Sequence, residues 1–275
     1  MASASEARRW ARAHFVRWLS DVVPRPLEPR HVGICIVHGL NASQPDELVA
    51  RCPWPELQIA RLRRHTAPGY LLYVYANGIP PSQVAFLASC PEVRLFGTPR
   101  GHPQLQNVWA IRNWLARQAA PHHRVIVHLD SDAFPVRDDW LPRYAALLRW
   151  DRPVVAVQRL ENGDHHSDRS FLMHRRIDLH RHLFDFSLIG AKDAGGNISG
   201  DLEAKGLGWH TLVRSNAWNH HPVIAGLYDD RIYHHAAGSR EPRLRQNQAL
   251  WAGGDAWERE KREQDRRTAG NPYMR

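Results

Sequence analysis

Cysteine is scarce in this 275-residue chain: there are three, Cys35, Cys52 and Cys90, widely spaced and with no Cys-x-x-Cys pair. An odd, scattered set argues against a disulfide framework and a zinc-thiolate centre, and fits a reducing, cytoplasmic setting. No apolar run approaches the ~20 residues that span a bilayer, and the N-terminus lacks the continuous apolar core of a secretory signal. Acidic residues are in the minority, 28 Asp and Glu against 37 Lys and Arg, for a net charge of +9. That excess favours phosphate-bearing partners: nucleic acid, anionic lipid or a nucleotide. Basic residues are scattered, as in "RLRR" and "REPRLRQ", and no zinc-finger, RNP1 or basic-zipper pattern occurs, which argues against nucleic acid. Internal repeats and low-complexity segments are also lacking. With 43% hydrophobic and 24% charged residues, the composition is that of a globular protein with one large domain.

What is present is an alternation. Short apolar runs, "HVGICIVH", "YLLYVYA", "EVRLF", "RVIVHLD" and "PVVAVQ", are separated by the amphipathic stretches "ELQIARLRRH", "SQVAFLASC" and "LQNVWAIRNWLARQ". Strand and helix in alternation predict an α/β fold with a mainly parallel, Rossmann-like sheet flanked by helices. The boundaries read as an N-terminal amphipathic helix and proline-rich hinge over 1–30, a single domain over 31–250, and a charged tail over 251–275. Within the domain, 31–158 carries the alternating pattern. From 159 to 250 the chain is less regular, rich in His, Gly and Asp, and reads as a region built over the sheet. The N-terminal "EARRWARAHFVRWLSDVV" places Trp10, Phe15, Trp18, Leu19 and Val22 at helical spacing among arginines. Two uses fit it, packing on its own domain or peripheral contact with the anionic inner face of a membrane.

The chemistry concentrates at the end of the fourth run, where "VIVHLDSDAFPV" sets Asp130 and Asp132 on alternate residues. Ligands of parallel α/β sheets collect at the carboxyl ends of strands. Two carboxylates there make a hard-oxygen site suited to Mg²⁺ or Mn²⁺ with room for phosphate oxygens. A turn that caps the following helix is the competing structural reading, although Asp138 and Asp139 are better placed to cap. A haloacid-dehalogenase-type phosphatase would want Thr or Val where Phe134 stands. Arg112 falls on the apolar stripe of "LQNVWAIRNWLARQ", where it either snorkels to the edge or pairs with an acidic or phosphate group. In "RIYHHAAGSR", His235 can complete a carboxylate metal site and Arg240 can meet phosphates.

Taken in order, "VYANGI", "NVWAIRN", "HLDSDAFPVRDDWL", "SFLMHRR", "DAGGNIS" and "IYHHAAGSR" resemble family 2-like glycosyltransferases of the GT-A fold, over roughly Val32 to Arg240. The resemblance implies a metal-dependent transfer of sugar from a nucleotide diphosphate to an acceptor hydroxyl. It implies Asp132 as main metal ligand, Asp130 as its partner toward ribose and metal, His235 as the C-terminal ligand, and Arg112 beside the nucleotide. Asn77 stands in "ANGI" where the family usually carries a base-contacting Asp, which leaves uridine and thymidine donors open, with a UDP-sugar favoured over a dTDP-sugar. An acidic pair that usually supplies the base is missing. Asp193 in "DAGGNIS" is its replacement and Asp201 its rival. The implied outcome is inversion; a retaining transferase and a non-catalytic nucleotide- or surface-binding module are the alternatives. Carbohydrate, lipid-linked and small-molecule acceptors all remain open.

Overall fold

The computed structural model describes residues 27–39, 54–98, 108–160, 165–182, 184, 186, 195–215 and 226–235. The N-terminal basic stretch, the charged tail, Asp193 and Arg240 lie outside them. After a short 3₁₀ turn (Pro29–His31), the order is β1 (Val32–Gly39), α1 (Trp54–His65), β2 (Leu71–Asn77), α2 (Pro81–Ser89), β3 (Val93–Thr98), α3 (Val108–Ala119) and β4 (Val125–Asp130). There follow β5 (Ala133–Pro135), α4 (Trp140–Leu147), β6 (Val154–Val157), β7 (Asp168–Arg175), α5 (Arg176–His182) and α6 (Gly196–Ala204). Three short strands complete it: β8 (His210–Leu212), β9 (Gly226–Tyr228) and β10 (Ile232–His234).

The main sheet has seven strands in the order β3-β2-β1-β4-β7-β6-β8. All its pairings are parallel except those of β7, which runs against both β4 and β6. The mixed α/β, mostly parallel architecture expected from the alternating pattern is therefore present. Its central strands are continuous apolar runs because both faces are covered. Ile34 and Ile36 of β1, with Val127 and Leu129 of β4, pack in one layer with Ile59 and Leu62 of α1, Leu87 of α2, and Trp140 and Tyr144 of α4. The intervening residues, Cys35, Val37 and Ile126, face the layer formed with Leu115 and Ala116 of α3 and Ile198 and Leu202 of α6. Gly33 allows β1 to pass under the end of α3, where a Cβ would come within 2.7 Å of the His123 ring. Among the described residues no helix is long and apolar enough to cross a membrane.

Two features differ from the sequence reading. The region after Arg159 supplies β7, an interior strand of the main sheet. Asp138 and Asp139 do not cap α4 through their side chains. Asp139 occupies the cap position without a side-chain cap bond and instead binds Arg231 through both oxygens, at 3.1 and 2.7 Å. Asp138 meets His65 Nδ1 at 2.7 Å.

Candidate active site at the sheet edge

Strand β4 ends in Asp130, and the chain turns through Ser131 and Asp132 into β5. β5 leaves the main sheet and forms a second, antiparallel sheet with β10 and β9. Its register sets His234 opposite Ala133 and Tyr233 opposite Phe134. A backbone bond of 3.0 Å from the His235 N–H to the Asp132 carbonyl continues that pairing into the turn. This small sheet is what carries a histidine from late in the chain to the two carboxylates.

Asp130, Asp132 and His234 offer ligand atoms that all lie within 4.8 Å of one another. The His234 Nε2 stands 3.5 Å from Asp132 Oδ1 and 3.7 Å from Asp130 Oδ2. Two ligands held ~2.1 Å from one ion stand roughly 3–3.4 Å apart, so a small inward shift of these side chains would seat a divalent cation. Two carboxylates and one imidazole also form a donor set that such an ion accepts. Burial works against protonation of His234, but the charge of Asp132, followed by Asp130 and Asp168, raises its pKa above the ordinary value. The carboxylates thus favour the charged form of a ring that burial alone would keep neutral.

The histidine in this cluster is His234, where the sequence pointed to His235. Side chains alternate along β10. Ile232 belongs to the main core and Tyr233 to a satellite cluster of Trp54, Phe134, Val136 and Leu227. His235 follows Tyr233: its Nδ1 shares a 2.5 Å hydrogen bond with the Tyr233 hydroxyl, and its ring lies 5.0 Å from that of Trp54. With three residues, β10 is too short for its alternation to be read from the sequence, so no sequence signal separates the two histidines.

Arg112 is 1% exposed and pairs with the Asp130 carboxylate, which is 19% exposed. It also reaches the carbonyls of Leu129, at 3.4 Å, and Arg169, at 3.5 Å. Of the two sequence readings, the pairing one describes its position. Burial lowers the Arg112 pKa, and the charge of Asp130 offsets part of that effect. Asp130 has a second cation in Arg169, whose Nε lies 3.5 Å away. Beside it, buried Asp168 is bound by Arg159 at 3.0 Å and accepts the Ser170 N–H at 2.8 Å. Burial alone would raise the Asp168 carboxyl, but Arg159, His234 and Ser170 hold it below the usual range. Because β7 runs antiparallel, its first residues, Asp168 and Arg169, arrive at the edge where β4 ends. Neither was found from the sequence.

Asn77 ends β2 on the same sheet edge, one strand beyond β1, and is 2% exposed. It is not part of the carboxylate cluster. Asp201 is exposed in the middle of α6. The start of that helix is tied to the site: the Ser167 hydroxyl donates to the Gly195 carbonyl at 2.6 Å, next to Asp168.

The sequence matches no protein-family model and no curated protein. Among solved structures, a mannosyltransferase from Pyrobaculum calidifontis, in complex with GDP-Man and Mn²⁺, is 14% identical with a TM-score of 0.48, over 95% of this chain and 88% of that one. A protein from Desulfovibrio desulfuricans assigned as a nucleotide-diphospho-sugar transferase is 9% identical with a TM-score of 0.47, over 66% of this chain and 80% of that one. A protein from Bacillus anthracis assigned as a glucose-1-phosphate thymidylyltransferase, in complex with sucrose, reaches a TM-score of 0.52 at 6% identity, over 82% of this chain and 99% of that one. At 6% identity the last of these, whose TM-score exceeds 0.5, shows a likeness of fold alone.

Proposed function

We propose that this protein is a metal-dependent glycosyltransferase that moves a sugar from a nucleotide diphosphate, with a UDP-sugar favoured, to an acceptor hydroxyl with inversion. The observation that carries this reading is the convergence of Asp130, Asp132 and His234 at the carboxyl edge of the sheet, where α/β folds bind their ligands. The motif order that resembles family 2-like enzymes supports it further. Mn²⁺ or Mg²⁺ suits the site, with the imidazole favouring Mn²⁺. When bound, the cation supplies positive charge against a leaving diphosphate. Arg112 holds Asp130 in one orientation, and Arg169 adds a partly exposed positive charge beside the same carboxylate. Asp193 is favoured as the base that takes the acceptor proton, because it opens the glycine-rich "DAGGNIS", a stretch whose backbone can approach a bound sugar closely.

The test is thermal stability with UDP, dTDP or GDP and with Mn²⁺, each alone and together. A shift that needs nucleotide and metal at once, and that disappears with a chelator, is the expected result. No joint effect with any nucleotide would sink the reading. Release of pyrophosphate from a nucleoside triphosphate would point to nucleotidyl transfer instead. With an acceptor found, Asp193→Asn and Asp201→Asn measured side by side assign the base: its loss should slow transfer ~10²–10⁴-fold and spare donor binding.

A further inference from the structure

Helix α1 packs against the far side of the turn that carries the two aspartates, and one polar residue stands on its buried face. Gln58 is fully enclosed, at 0% exposure. Its Nε2 lies 2.8 Å from the Asp130 carbonyl and 2.6 Å from the Ala133 carbonyl. Carbonyls only accept, so the side chain must present its amide nitrogen here, and each of its two hydrogens serves one carbonyl. The two acceptors bracket the Asp130-Ser131-Asp132-Ala133 turn. One amide therefore ties together the residue that ends β4 and the residue that begins β5. Two turns of helix further on, the same face of α1 holds the continuation of this segment: His65 Nδ1 meets Asp138 at 2.7 Å, and the Trp140 indole N–H donates to the His65 carbonyl at 3.1 Å.

We propose that Gln58 is a positioning residue for the carboxylate pair: by clamping both ends of the turn, it sets the separation and aim of Asp130 and Asp132 and hence the affinity for a divalent cation. This rests on the metal-site reading above. An apolar side chain could fill the same space in the core, but it would take this donor from the Asp130 and Ala133 carbonyls and leave the turn freer to open. Hydrogen bonds that hold a metal ligand in place change metal affinity by ~10–100-fold in other sites.

The experiment compares the full-length chain with Gln58→Met, which keeps length and removes the donors, with Gln58→Asn, which keeps the amide on a shorter arm, and with Arg63→Ala, an exposed-face control on the same helix. Mn²⁺ affinity is measured by electron paramagnetic resonance, and backbone hydrogen exchange over residues 129–136 is followed without metal. Gln58→Met should weaken Mn²⁺ binding roughly 10–100-fold and speed exchange in that segment, while β1 and the Arg63→Ala control stay unchanged. Gln58→Asn should fall between wild type and Gln58→Met, and it decides the matter if Gln58→Met does not fold. Mn²⁺ affinity within twofold of wild type in the folded variants overturns the role of Gln58. Wild-type protein that binds no Mn²⁺ overturns the metal site itself, which separates the two failures.

Discussion

His128 and His234 are both buried, one within β4 and the other against its end, yet their surroundings push them in opposite directions. His128 lies in the layer beneath α3, its ring 4.3 Å from that of Phe186 and its Nε2 3.3 Å from the Nε2 of His174. The His174 Nδ1 stands 2.9 Å from the Arg175 carbonyl and so carries the proton, which leaves its Nε2 to accept from His128. Burial first, then His174 and Arg112, drive His128 well below its ordinary pKa. His234 is almost as enclosed, at 4% exposure, but carboxylates surround it and raise its pKa. Burial alone therefore does not set which way a histidine of this chain is pushed; the groups that converge on it do, carboxylates for His234 and cations for His128.

The largest effects should come from removing those carboxylates. Asp132→Asn should abolish any Mn²⁺-dependent nucleotide shift, yet melt as wild type does, because it also relieves repulsion with Asp130. Asp130→Asn should lose the same shift and in addition lower folding stability by ~3 kcal/mol or more, since it strips the charge partner from fully buried Arg112. Urea unfolding of both variants checks the asymmetry; equal stabilities would show that Arg112 does not depend on Asp130.

Next come the histidines themselves. His234→Ala should weaken Mn²⁺ binding ~10–100-fold. His235→Ala should leave Mn²⁺ affinity within about twofold and instead cost ~1–3 kcal/mol, because it empties the space beside Trp54 and removes the hydrogen bond to the Tyr233 hydroxyl. Titration of both variants with Mn²⁺ reverses the assignment if His235→Ala is the one that loses metal.

The smallest effect concerns acid. Below its ordinary value of 6.5, an unfolded His128 takes up a proton that the folded one refuses, so stability falls as pH drops. His128→Leu should make that fall shallower without changing Mn²⁺ affinity. Melting temperatures from pH 7.5 to 5 read the slope; parallel curves would mean that His128 does not contribute to it.

How much of this was legible in the sequence follows from element length and pattern. β1, β2, β3, β4 and β6 are Val-, Ile-, Leu- and Tyr-rich runs, and they announce a covered sheet directly. β7 did not, because only Phe171, Leu172 and Met173 are apolar between polar residues at both ends. β5, β9 and β10 have three residues each, too short for a period to show. That brevity is also why His234 and His235 were exchanged. Asp130 and Asp132 were visible from their place after a strand, and Arg112 from being a charge on an apolar stripe. Gln58 carries the same kind of signal, a polar residue among Ile59 and Leu62 on the buried face of α1, and it was overlooked because an uncharged amide there looks harmless.

The antiparallel strand β7 has a consequence for how the chain can be made. It lies between β4 and β6 although it follows both in sequence. β6 pairs only with β7 and β8, so it cannot join the sheet until β7 is in place. In a chain made from its N-terminus, β1 to β4 are complete before β7 exists, so a sheet built from them would leave open the side of β4 that β7 will occupy. Until residues 168–175 are synthesised, that edge would be a six-residue, apolar strand with unpaired backbone groups, the kind of template on which chains add to one another. Non-local pairing of this sort also slows folding. Truncated or slowly translated forms ending before β7 should therefore aggregate through β4, the same strand that delivers the carboxylates in the finished protein.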